Sequence, residues 1–389
     1  MKSIYLDSSS TTKPRQEVID VVMPYLTGDK WYNPSSLYAP AVKVKQDVDK
    51  ARKTVADFIG ADAEEIIFES SATEANNHVI RGWDDLHAGT CSLIVSTPIE
   101  HKSIMMALEN PSLWSKVCYC DVDENGIVKL DALCDILEEH KSWDVLVTIG
   151  VANSEIGTVQ PIEKIAKIVH SYKGAVFHTD ATQLLPHQKI DVHEVGIDML
   201  SASAQKFGGL KGTGFLYKNK DVDIATLIWG SQENGARGAT ENVAGIIGMA
   251  KAIELTECDI KNAKAMELMR DCLIDKLEQI GCKPNGSKAN RLPNNVNVQT
   301  GVNAESLLYM LDMSNIMIAT GSACNSKSIE PSYVLKAIGL GDDEANSSIR
   351  LTISQDTTFE EIDKVVCEIE RCIKLIKGET ITWNGNRQT

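Results

Sequence analysis

The chain has 389 residues, of which 43% are apolar, and it carries a formal charge of −15. This length exceeds the size at which one hydrophobic core usually stops growing, so we expect two domains. The negative charge repels polyphosphate and argues against general nucleic-acid binding. The N-terminal segment lacks the apolar stretch of a secretory signal, and no run approaches the roughly 18–20 apolar residues that span a bilayer, so we expect a cytoplasmic protein.

Ten cysteines are dispersed along the chain without a CxxC pair. Disulfide frameworks are typical of small secreted chains, so these cysteines are expected to be reduced thiols. Cys118 and Cys120 point to one side of a predicted strand, but no His or Cys nearby completes a set of metal ligands. The sequence therefore predicts no metal site.

The first two thirds of the chain alternate helices with short apolar strands. Residues 41–59 place apolar side chains at helical spacing, and Gly60 is suited to end that helix in the left-handed conformation. In chain order the predicted strands are EIIFES, SLIVST, KVCYC, DVLVTIG, AVFHTD, DMLSAS and GTGFLYK, and the last is a candidate antiparallel strand. This βαβ pattern predicts a mostly parallel sheet that is covered on both faces by helices.

The pattern changes around residue 257. A long charged helix is predicted over ECDIKNAKAMELMRDCLIDKLEQIG, followed by the strand NNVNVQT, the helix AESLLYML, the strands IMIAT and SIRLTIS, and a terminal helix. Mixed helices and strands of this kind predict a second, smaller α+β domain.

Polar residues follow several strands of the predicted parallel sheet, where ligands bind in open α/β folds. Strand EIIFES is followed by Ser71, Ala72 and Thr73. The hydroxyls of Ser71 and Thr73, with the backbone N–H groups at a helix N-terminus, can hold a phosphate. The same SATE segment also fits an ordinary capping box, so both interpretations stay open.

Two further strand ends bring an acid and a lysine to the same edge. Asp180 ends AVFHTD, and DMLSAS leads into Ser203, Gln205 and Lys206. A lysine among small residues and glycines can approach a cofactor aldehyde. A pyridoxal 5′-phosphate enzyme needs such a lysine, an acid for the ring nitrogen and donors for the phosphate, and Asp180, Lys206, Thr73 and Ser203 supply all three.

Together with longer motifs, these features resemble the cysteine desulfurases, a group within the class V aminotransferase-like, fold type I pyridoxal-phosphate enzymes. The resemblance runs from YLD at residues 5–7 to the terminal helix, and is most specific in ATEANN, EHKSI, ANSEIGTVQPI, DATQ, GSACNSKSIEPSYVLKAIGL and SSIRLTIS. It implies an α/β fold type I transferase with a mostly parallel seven-stranded sheet in a large cofactor-binding domain, residues 16–257. The smaller α+β domain would comprise residues 1–15 and 258–389, and the protein would be a homodimer with shared active sites.

The resemblance also implies how the cofactor is held. Lys206 would bind it covalently, Asp180 would pair with the pyridinium nitrogen, Gln183 would meet the phenolic oxygen, and His101 would lie over the ring face. The phosphate ligands would be Thr73, Ser203 and, from the second subunit, Thr240, and Gln205 could donate its amide N–H. Without the resemblance, His101 fits a helix-capping residue equally well.

Three more residues take their roles from the resemblance. Asn153 and Arg350 would hold the substrate carboxylate, for which a guanidinium gives a bidentate fit. From residue type alone, Asn153 is more often a turn residue, and Arg350 more often an exposed charge. Cys324 lies among small and polar residues, and would leave the ring pocket with sulfur attached.

The implied reaction converts L-cysteine to L-alanine and leaves a persulfide on Cys324, for transfer to an unidentified sulfur acceptor protein. Iron–sulfur cluster biogenesis is one setting that uses such sulfur. Two alternatives stay open: a related pyridoxal-phosphate lyase or aminotransferase, such as a selenocysteine lyase, and a non-catalytic sulfur-carrier subunit.

Several positions depart from the family pattern and predict a divergent branch. They are Ser71 in place of glycine, Gln205 in place of histidine, Asn234 in place of a common arginine, GAT in place of SGT around Thr240, and Ser354–Gln355 in place of Gly-Arg.

Overall fold

The computed structural model describes residues 3–321 and 330–379. The strands are β1 (Ile4–Tyr5), β2 (Ile66–Glu69), β3 (Ser92–Ser96), β4 (Lys116–Tyr119), β5 (Asp144–Thr148), β6 (Ala175–Asp180), β7 (Met199–Ser203), β8 (Gly214–Lys218), β9 (Lys283–Pro284), β10 (Asn295–Gln299), β11 (Ile316–Met317), β12 (Ala319–Thr320) and β13 (Ser348–Thr352). The helices are α1 (Gln16–Leu26), α2 (Ala39–Ile59), α3 (Ala72–Leu86), α4 (Lys102–Leu108), α5 (Leu130–Glu139), α6 (Ile162–Val169), α7 (Val192–Val195), α8 (Val243–Ile260), α9 (Ala263–Gln279), α10 (Ala304–Met313), α11 (Tyr333–Ala337), α12 (Asp342–Asn346) and α13 (Phe359–Ile376). Within these described ranges, no helix is long and apolar enough to cross a membrane.

The chain divides into two compact units. The larger unit comprises Ser9–Ser154 and Thr158–Ala263, and the smaller unit comprises Met1–Ser8, Glu155–Gly157 and Lys264–Thr389. The assignment of residues 16–257 to a cofactor domain and of the two chain ends to a small domain stays a prediction.

The larger unit is built on a seven-stranded sheet with the order β2-β8-β7-β6-β5-β3-β4. Strand β8 runs antiparallel to both β2 and β7, whereas the neighbouring strands from β7 to β4 pair in parallel. The mostly parallel sheet and its antiparallel member are therefore confirmed. Most of its strands are buried and apolar because helices cover the sheet, whereas the edge strand β4 is partly exposed. Core residues include Val79, Ile80, Ile94, Leu146, Met199 and Leu216.

Helix α2 forms where the apolar spacing predicted it. Val44, Val48 and Val55 lie on its buried face, and Gly60 ends it with φ 70°, a conformation that costs glycine nothing. The prediction for this segment is confirmed.

The smaller unit combines a four-stranded antiparallel sheet, β12-β13-β10-β9, with the parallel pair β1 and β11. Helices α10 and α13 pack with it around a separate hydrophobic core, which includes Leu307, Leu311, Ile349, Leu351 and Ile369. This is the predicted α+β pattern.

Two predicted elements differ from the structure. The prediction of one long helix that begins at residue 257 is wrong. Helix α8 already begins at Val243, and a break at Lys261 and Asn262 separates it from α9. The break coincides with the change of hydrophobic core, since α8 belongs to the larger unit and all of α9 after Ala263 to the smaller one. The IMIAT strand is also divided: β11 pairs with β1, and β12 pairs with β13.

Candidate active site

Two predicted cofactor ligands meet beside the N-terminal segment of the larger unit. Lys206 lies in the short 3-10 turn Ala204–Lys206 that follows β7, and its Nζ donates to the carbonyl oxygens of Ser9 and Ser10, each at 2.6 Å. The side-chain amide of Gln183 donates to the same Ser9 carbonyl at 3.1 Å. The main chain at Ser9 therefore holds the lysine and the glutamine side by side.

Asp180 ends β6, as the sequence predicted, and receives two hydrogen bonds on its carboxylate. The Asn76 amide donates to Oδ2 at 2.7 Å, and the backbone N–H of Thr182 donates to Oδ1 at 2.9 Å. Donors of this kind fix the orientation of a carboxylate. The arrangement suits an acid whose task is to face a cationic ring nitrogen.

His101 is the N-cap of α4, so the capping role that its sequence position allowed is observed. Its Nδ1 accepts the backbone N–H of Ser103 at 3.1 Å. His101 as a residue is partly accessible to solvent, but nearby protein atoms desolvate its imidazole and lower its pKa. The charge of Lys206 also lowers this pKa, and the charge of Asp180 raises it. His101, Asp180 and Lys206 thus lie within electrostatic range of one another.

The phosphate-binding segment predicted after β2 begins helix α3. Ser71 caps this helix by accepting the Glu74 N–H at 3.2 Å, as the capping interpretation allowed. The turn lies against Gly214 of β8 so closely that a Cβ on this glycine would come within 2.9 Å of the Ser71 Cα. Gly214 in turn is in register with Ser203 of β7. The N-terminus of α3 and the Ser203 end of β7 are consequently neighbours.

The remaining predicted residues have separate positions. The side-chain amide of Asn153, in the larger unit, donates a hydrogen bond to the carbonyl of Ile99 at 2.8 Å. Ile99 lies two residues before His101 in the sequence. The Gln205 side-chain oxygen accepts from the Thr11 hydroxyl at 3.4 Å. Thr73 lies exposed on the first turn of α3, and Thr240 lies exposed on the loop before α8.

Of the predicted substrate-binding Arg350 and the predicted reactive Cys324, the structure describes only Arg350. Arg350 is buried in β13, and its guanidinium donates to the Asp7 carboxylate at 2.7 Å. The expectation from residue type alone, that Arg350 is an exposed surface charge, is therefore wrong. Cys324 lies outside the described residues.

A buried charge cluster at the start of α3 was missed by the sequence analysis. Arg237, from the loop that also carries Thr240, donates through Nε to Glu74 at 2.8 Å, and the same atom lies 3.8 Å from Glu69 at the end of β2. Glu69 in turn contacts His78 Nδ1 at 2.8 Å. Glu74 was visible as part of the SATE capping pattern, but Arg237 lies 163 residues away in the sequence and carried no local signal.

The two glutamates of this cluster have opposite properties. Burial raises the pKa of Glu69 to about 9, and the nearby Glu74 carboxylate adds to the rise. Burial alone would also raise the pKa of Glu74, but hydrogen bonds from Arg237 and its other neighbours hold it at about 2. Burial lowers the pKa of His78 to about 4. At neutral pH the cluster thus contains a protonated Glu69, a neutral His78 and an ion pair between Glu74 and Arg237.

Comparison with known proteins identifies the class. The family model described as aminotransferase class-V matches residues 4–365. The chain is 39% identical over 382 residues to a protein named cysteine desulfurase IscS from Dictyoglomus turgidum, covering 97% of this chain and 96% of that protein.

Solved structures agree. A NifS-like protein matches with a TM-score of 0.89 and 31% identity over 96% of this chain and 100% of its own. SspA in complex with cysteine matches with a TM-score of 0.79 and 30% identity over 90% of this chain and 99% of its own.

The chain belongs to the class-V aminotransferase family of pyridoxal-phosphate-dependent enzymes. Within that family, the relative and the structures named above place it among the cysteine desulfurase and NifS-like proteins.

Proposed function

We propose that this protein is a cytoplasmic cysteine desulfurase. It takes sulfur from L-cysteine with the help of pyridoxal 5′-phosphate, releases L-alanine, and keeps the sulfur as a persulfide on Cys324 for an acceptor protein. The observation that carries the proposal is geometric: Asp180 ends β6, Lys206 follows the adjacent strand β7, and hydrogen bonds through Asn76 and Ser103 join Asp180 to His101. The relative named cysteine desulfurase, and the solved relative in complex with cysteine, support this substrate.

The donor set of the larger unit fits the cofactor. Lys206 offers the amine, Asp180 an oriented carboxylate for the ring nitrogen, and His101 an imidazole for the ring face. For the phosphate, the N-terminus of α3 offers backbone N–H groups beside Ser203, where Gly214 permits the close approach of the Ser71 turn. When bound, pyridoxal phosphate supplies an electron sink for the electron pair left on the substrate's Cα.

The protein's own residues then have these tasks. Lys206, released from its Ser9 and Ser10 carbonyls, accepts the Cα proton of the substrate as general base and later returns a proton. Asn153 and Arg350 bind the substrate carboxylate, for which Arg350 exchanges its hydrogen bond to Asp7.

The thiolate of Cys324 attacks the substrate sulfur. The new S–S bond forms as the carbon–sulfur bond breaks, and the electron pair of that bond takes up a proton at the substrate's Cβ. Alanine and the Cys324 persulfide are the products, so no external oxidant or reductant enters the balance.

We also propose a homodimer in which Thr240 reaches the phosphate site of the second copy. Thr240 and Trp229 lie on one loop, and the Trp229 side chain is 86% exposed. The adjacent Glu241 lines a cavity of about 280 Å³ together with Leu37, which is 95% exposed. Large apolar side chains that are this open are typical of surfaces that another protein covers. Sedimentation velocity should give twice the mass of the chain, and a monomer that makes alanine at full rate would contradict the shared site.

The function is tested with purified protein and L-cysteine. We expect alanine to accumulate and the intact mass of the protein to increase by one sulfur atom. Lys206→Ala should abolish alanine formation, with Lys220→Ala, an exposed lysine, as the matched control. Borohydride should attach the cofactor to the peptide that contains Lys206.

A second pair of variants tests the thiol. Cys324→Ser should keep the cofactor spectrum but lose the added sulfur, whereas Cys258→Ser, a described and exposed cysteine, should retain it. Full sulfide release by Cys324→Ser without an added thiol would show that Cys324 does not have the proposed role. Absence of alanine from cysteine, with release from selenocysteine, would instead favour the selenocysteine lyase alternative.

A further inference from the structure

A hydrogen-bonded chain connects the two ring-facing residues, Asp180 and His101, through the interior of the larger unit. The side-chain nitrogen of Asn76 in α3 lies 2.7 Å from Asp180 Oδ2 and 2.9 Å from Ser103 Oγ. Ser103 Oγ lies 2.8 Å from His101 Nδ1, and the Ser103 backbone N–H donates to the same nitrogen at 3.1 Å. Asn76 and Ser103 are both buried, at 0% and 8% exposure, so water does not compete freely for these bonds.

The chemistry of an amide fixes the direction of each bond in this chain. An amide nitrogen carries two N–H donors and accepts no hydrogen bond. Asn76 therefore donates one hydrogen bond to Asp180 and the other to Ser103. The opposite rotamer is excluded because it would place the Asn76 carbonyl oxygen against a carboxylate oxygen. The backbone N–H of Ser103 donates to His101 Nδ1, so this nitrogen has no proton to donate to Ser103 Oγ. The Ser103 hydroxyl, which accepts a hydrogen bond from Asn76, must therefore donate its own proton to His101 Nδ1.

Two donors therefore converge on His101 Nδ1, the Ser103 hydroxyl and the Ser103 backbone N–H. A nitrogen that accepts two hydrogen bonds carries no proton of its own. The neutral imidazole must then carry its proton on Nε2, the nitrogen directed away from Ser103.

We propose that Asn76 is a positioning residue which, through Ser103, fixes the Nε2–H tautomer of His101 while it orients the carboxylate of Asp180. The inference rests on the proposed function in one respect, since it assigns both residues to the cofactor ring. Asn76 thereby links the group at the ring nitrogen to the group at the ring face. One side chain sets the hydrogen-bonding state of both.

The residue type at position 76 is specific to this task. Aspartate would place a second negative charge beside Asp180, and leucine offers no proton to either partner. Glutamine has the same amide but is one methylene longer, in a site with no exposed surface. The Asn76 carbonyl oxygen has no hydrogen-bond partner in the described part of the chain, so the side chain is held by its two donated bonds alone.

The tautomer can be measured by NMR of the cofactor-free protein with ¹⁵N-labelled histidine, in which a His101→Gln variant assigns the signal. We expect the Nε2–H form of His101 in the parent protein. Ser103→Ala and Asn76→Leu should each raise the population of the Nδ1–H form several-fold. The Ser103→Ala substitution should also raise the pKa of His101, because one donor that opposes protonation of Nδ1 is lost. Ser103→Thr, which keeps the hydroxyl, should restore the parent tautomer.

The neighbouring Asn77 supplies the matched control. Its amide donates to the Thr73 carbonyl of the preceding turn at 2.8 Å and to the Ser103 carbonyl at 3.4 Å, and Asn77→Leu should leave the His101 tautomer unchanged. In the cofactor-loaded protein, Asn76→Leu should weaken cofactor binding about 10-fold, as expected for the loss of one hydrogen bond to a charged group.

Either of two results would overturn the proposal: an Nδ1–H tautomer of His101 in the parent protein, or an unchanged tautomer in both Ser103→Ala and Asn76→Leu. If Asn76→Leu does not fold, Ser103→Ala decides the question. Failure of the proposed function is distinguishable, because the tautomer is read without cofactor or substrate, and absence of alanine formation would leave that reading intact.

Discussion

The ends of β2 and β6 each carry an acidic side chain at the same edge of the sheet, but their surroundings differ. Asp180, after β6, receives an amide N–H and a backbone N–H. Glu69, in β2, faces a neutral histidine and a second carboxylate, and burial raises its pKa to about 9. Two N–H donors bind the Asp180 carboxylate, whereas burial and a nearby carboxylate dominate the surroundings of Glu69.

The difference shows that strand-end position alone does not determine the surroundings of a carboxyl group. A ring cation would be stabilised by an oriented carboxylate, and two N–H donors orient that of Asp180. Glu69 keeps its proton, and the charged role beside it falls to Glu74, which Arg237 holds ionised. The four predictions below test this division of roles, beginning with the largest expected effect.

Asp180→Asn tests the charged acid. The substitution keeps the shape of the side chain but removes its charge, and we expect alanine formation from L-cysteine to fall by at least about 100-fold, corresponding to about 3 kcal/mol of lost stabilisation. Initial rates of alanine release measure the effect. Asp85→Asn, which alters an exposed helical ion pair with Arg81, is the control and should retain the parent rate. A rate for Asp180→Asn within a few-fold of the parent would show that the charge is not needed.

Glu74→Gln tests the ion pair with Arg237. The Glu74 and Arg237 side chains are only 11% and 17% exposed, so removal of one charge leaves the other poorly solvated. We expect the free energy of unfolding in urea to decrease by about 2 kcal/mol at fixed protein concentration. Glu138→Gln, in an exposed pair with Lys141, should cost less than about 0.5 kcal/mol. Equal losses in the two variants would contradict a special role for the buried pair.

Glu69→Gln tests the protonated acid through its pH dependence. The unfolded chain releases the Glu69 proton near pH 4.5, whereas the folded protein keeps it until about pH 9, so the folded protein loses stability as pH rises between these values. Glutamine resembles the protonated acid and cannot ionise. Urea unfolding at pH 4 should therefore give similar stabilities for parent and variant, and at pH 6 the variant should be more stable by about 1–2 kcal/mol. A pH dependence that is the same in both proteins would mean that Glu69 is already ionised in the folded state.

The sequence could predict the features that depend on local pattern. Alternating apolar runs gave the strands of the large sheet, and strand ends gave Asp180, Ser203 and Lys206, because parallel strands bring their carboxyl ends to one edge. The helix break at Lys261 could not be predicted this way, since the charged segment is helical on both sides and the change of hydrophobic core is a tertiary property.

The partners of the site residues were beyond the sequence for a similar reason. Asn76 was part of the ATEANN motif, but its bonds to Asp180 and Ser103 join residues 104 and 27 positions apart. The carbonyls of Ser9 and Ser10 that hold Lys206 carry no side-chain signal at all. Residue type thus predicted which groups would meet the cofactor, and only the folded chain indicates what orients them.

The smallest expected effect concerns the loop that delivers Arg237 to Glu74. Ala239 follows Arg237 by two residues and has φ 93°, where an L side chain is strained. Such strain costs about 1–3 kcal/mol, and glycine recovers it while adding about 0.4–1 kcal/mol of unfolded-state entropy, so Ala239→Gly should stabilise the protein by about 1 kcal/mol in urea. Ala236→Gly, in the same loop but with φ −75°, relieves no strain and should destabilise it by about 0.5–1 kcal/mol. The changes in unfolding free energy of the two variants must therefore have opposite signs. Equal losses of stability would show that the loop, with Arg237 paired to Glu74, does not hold Ala239 in this strained conformation.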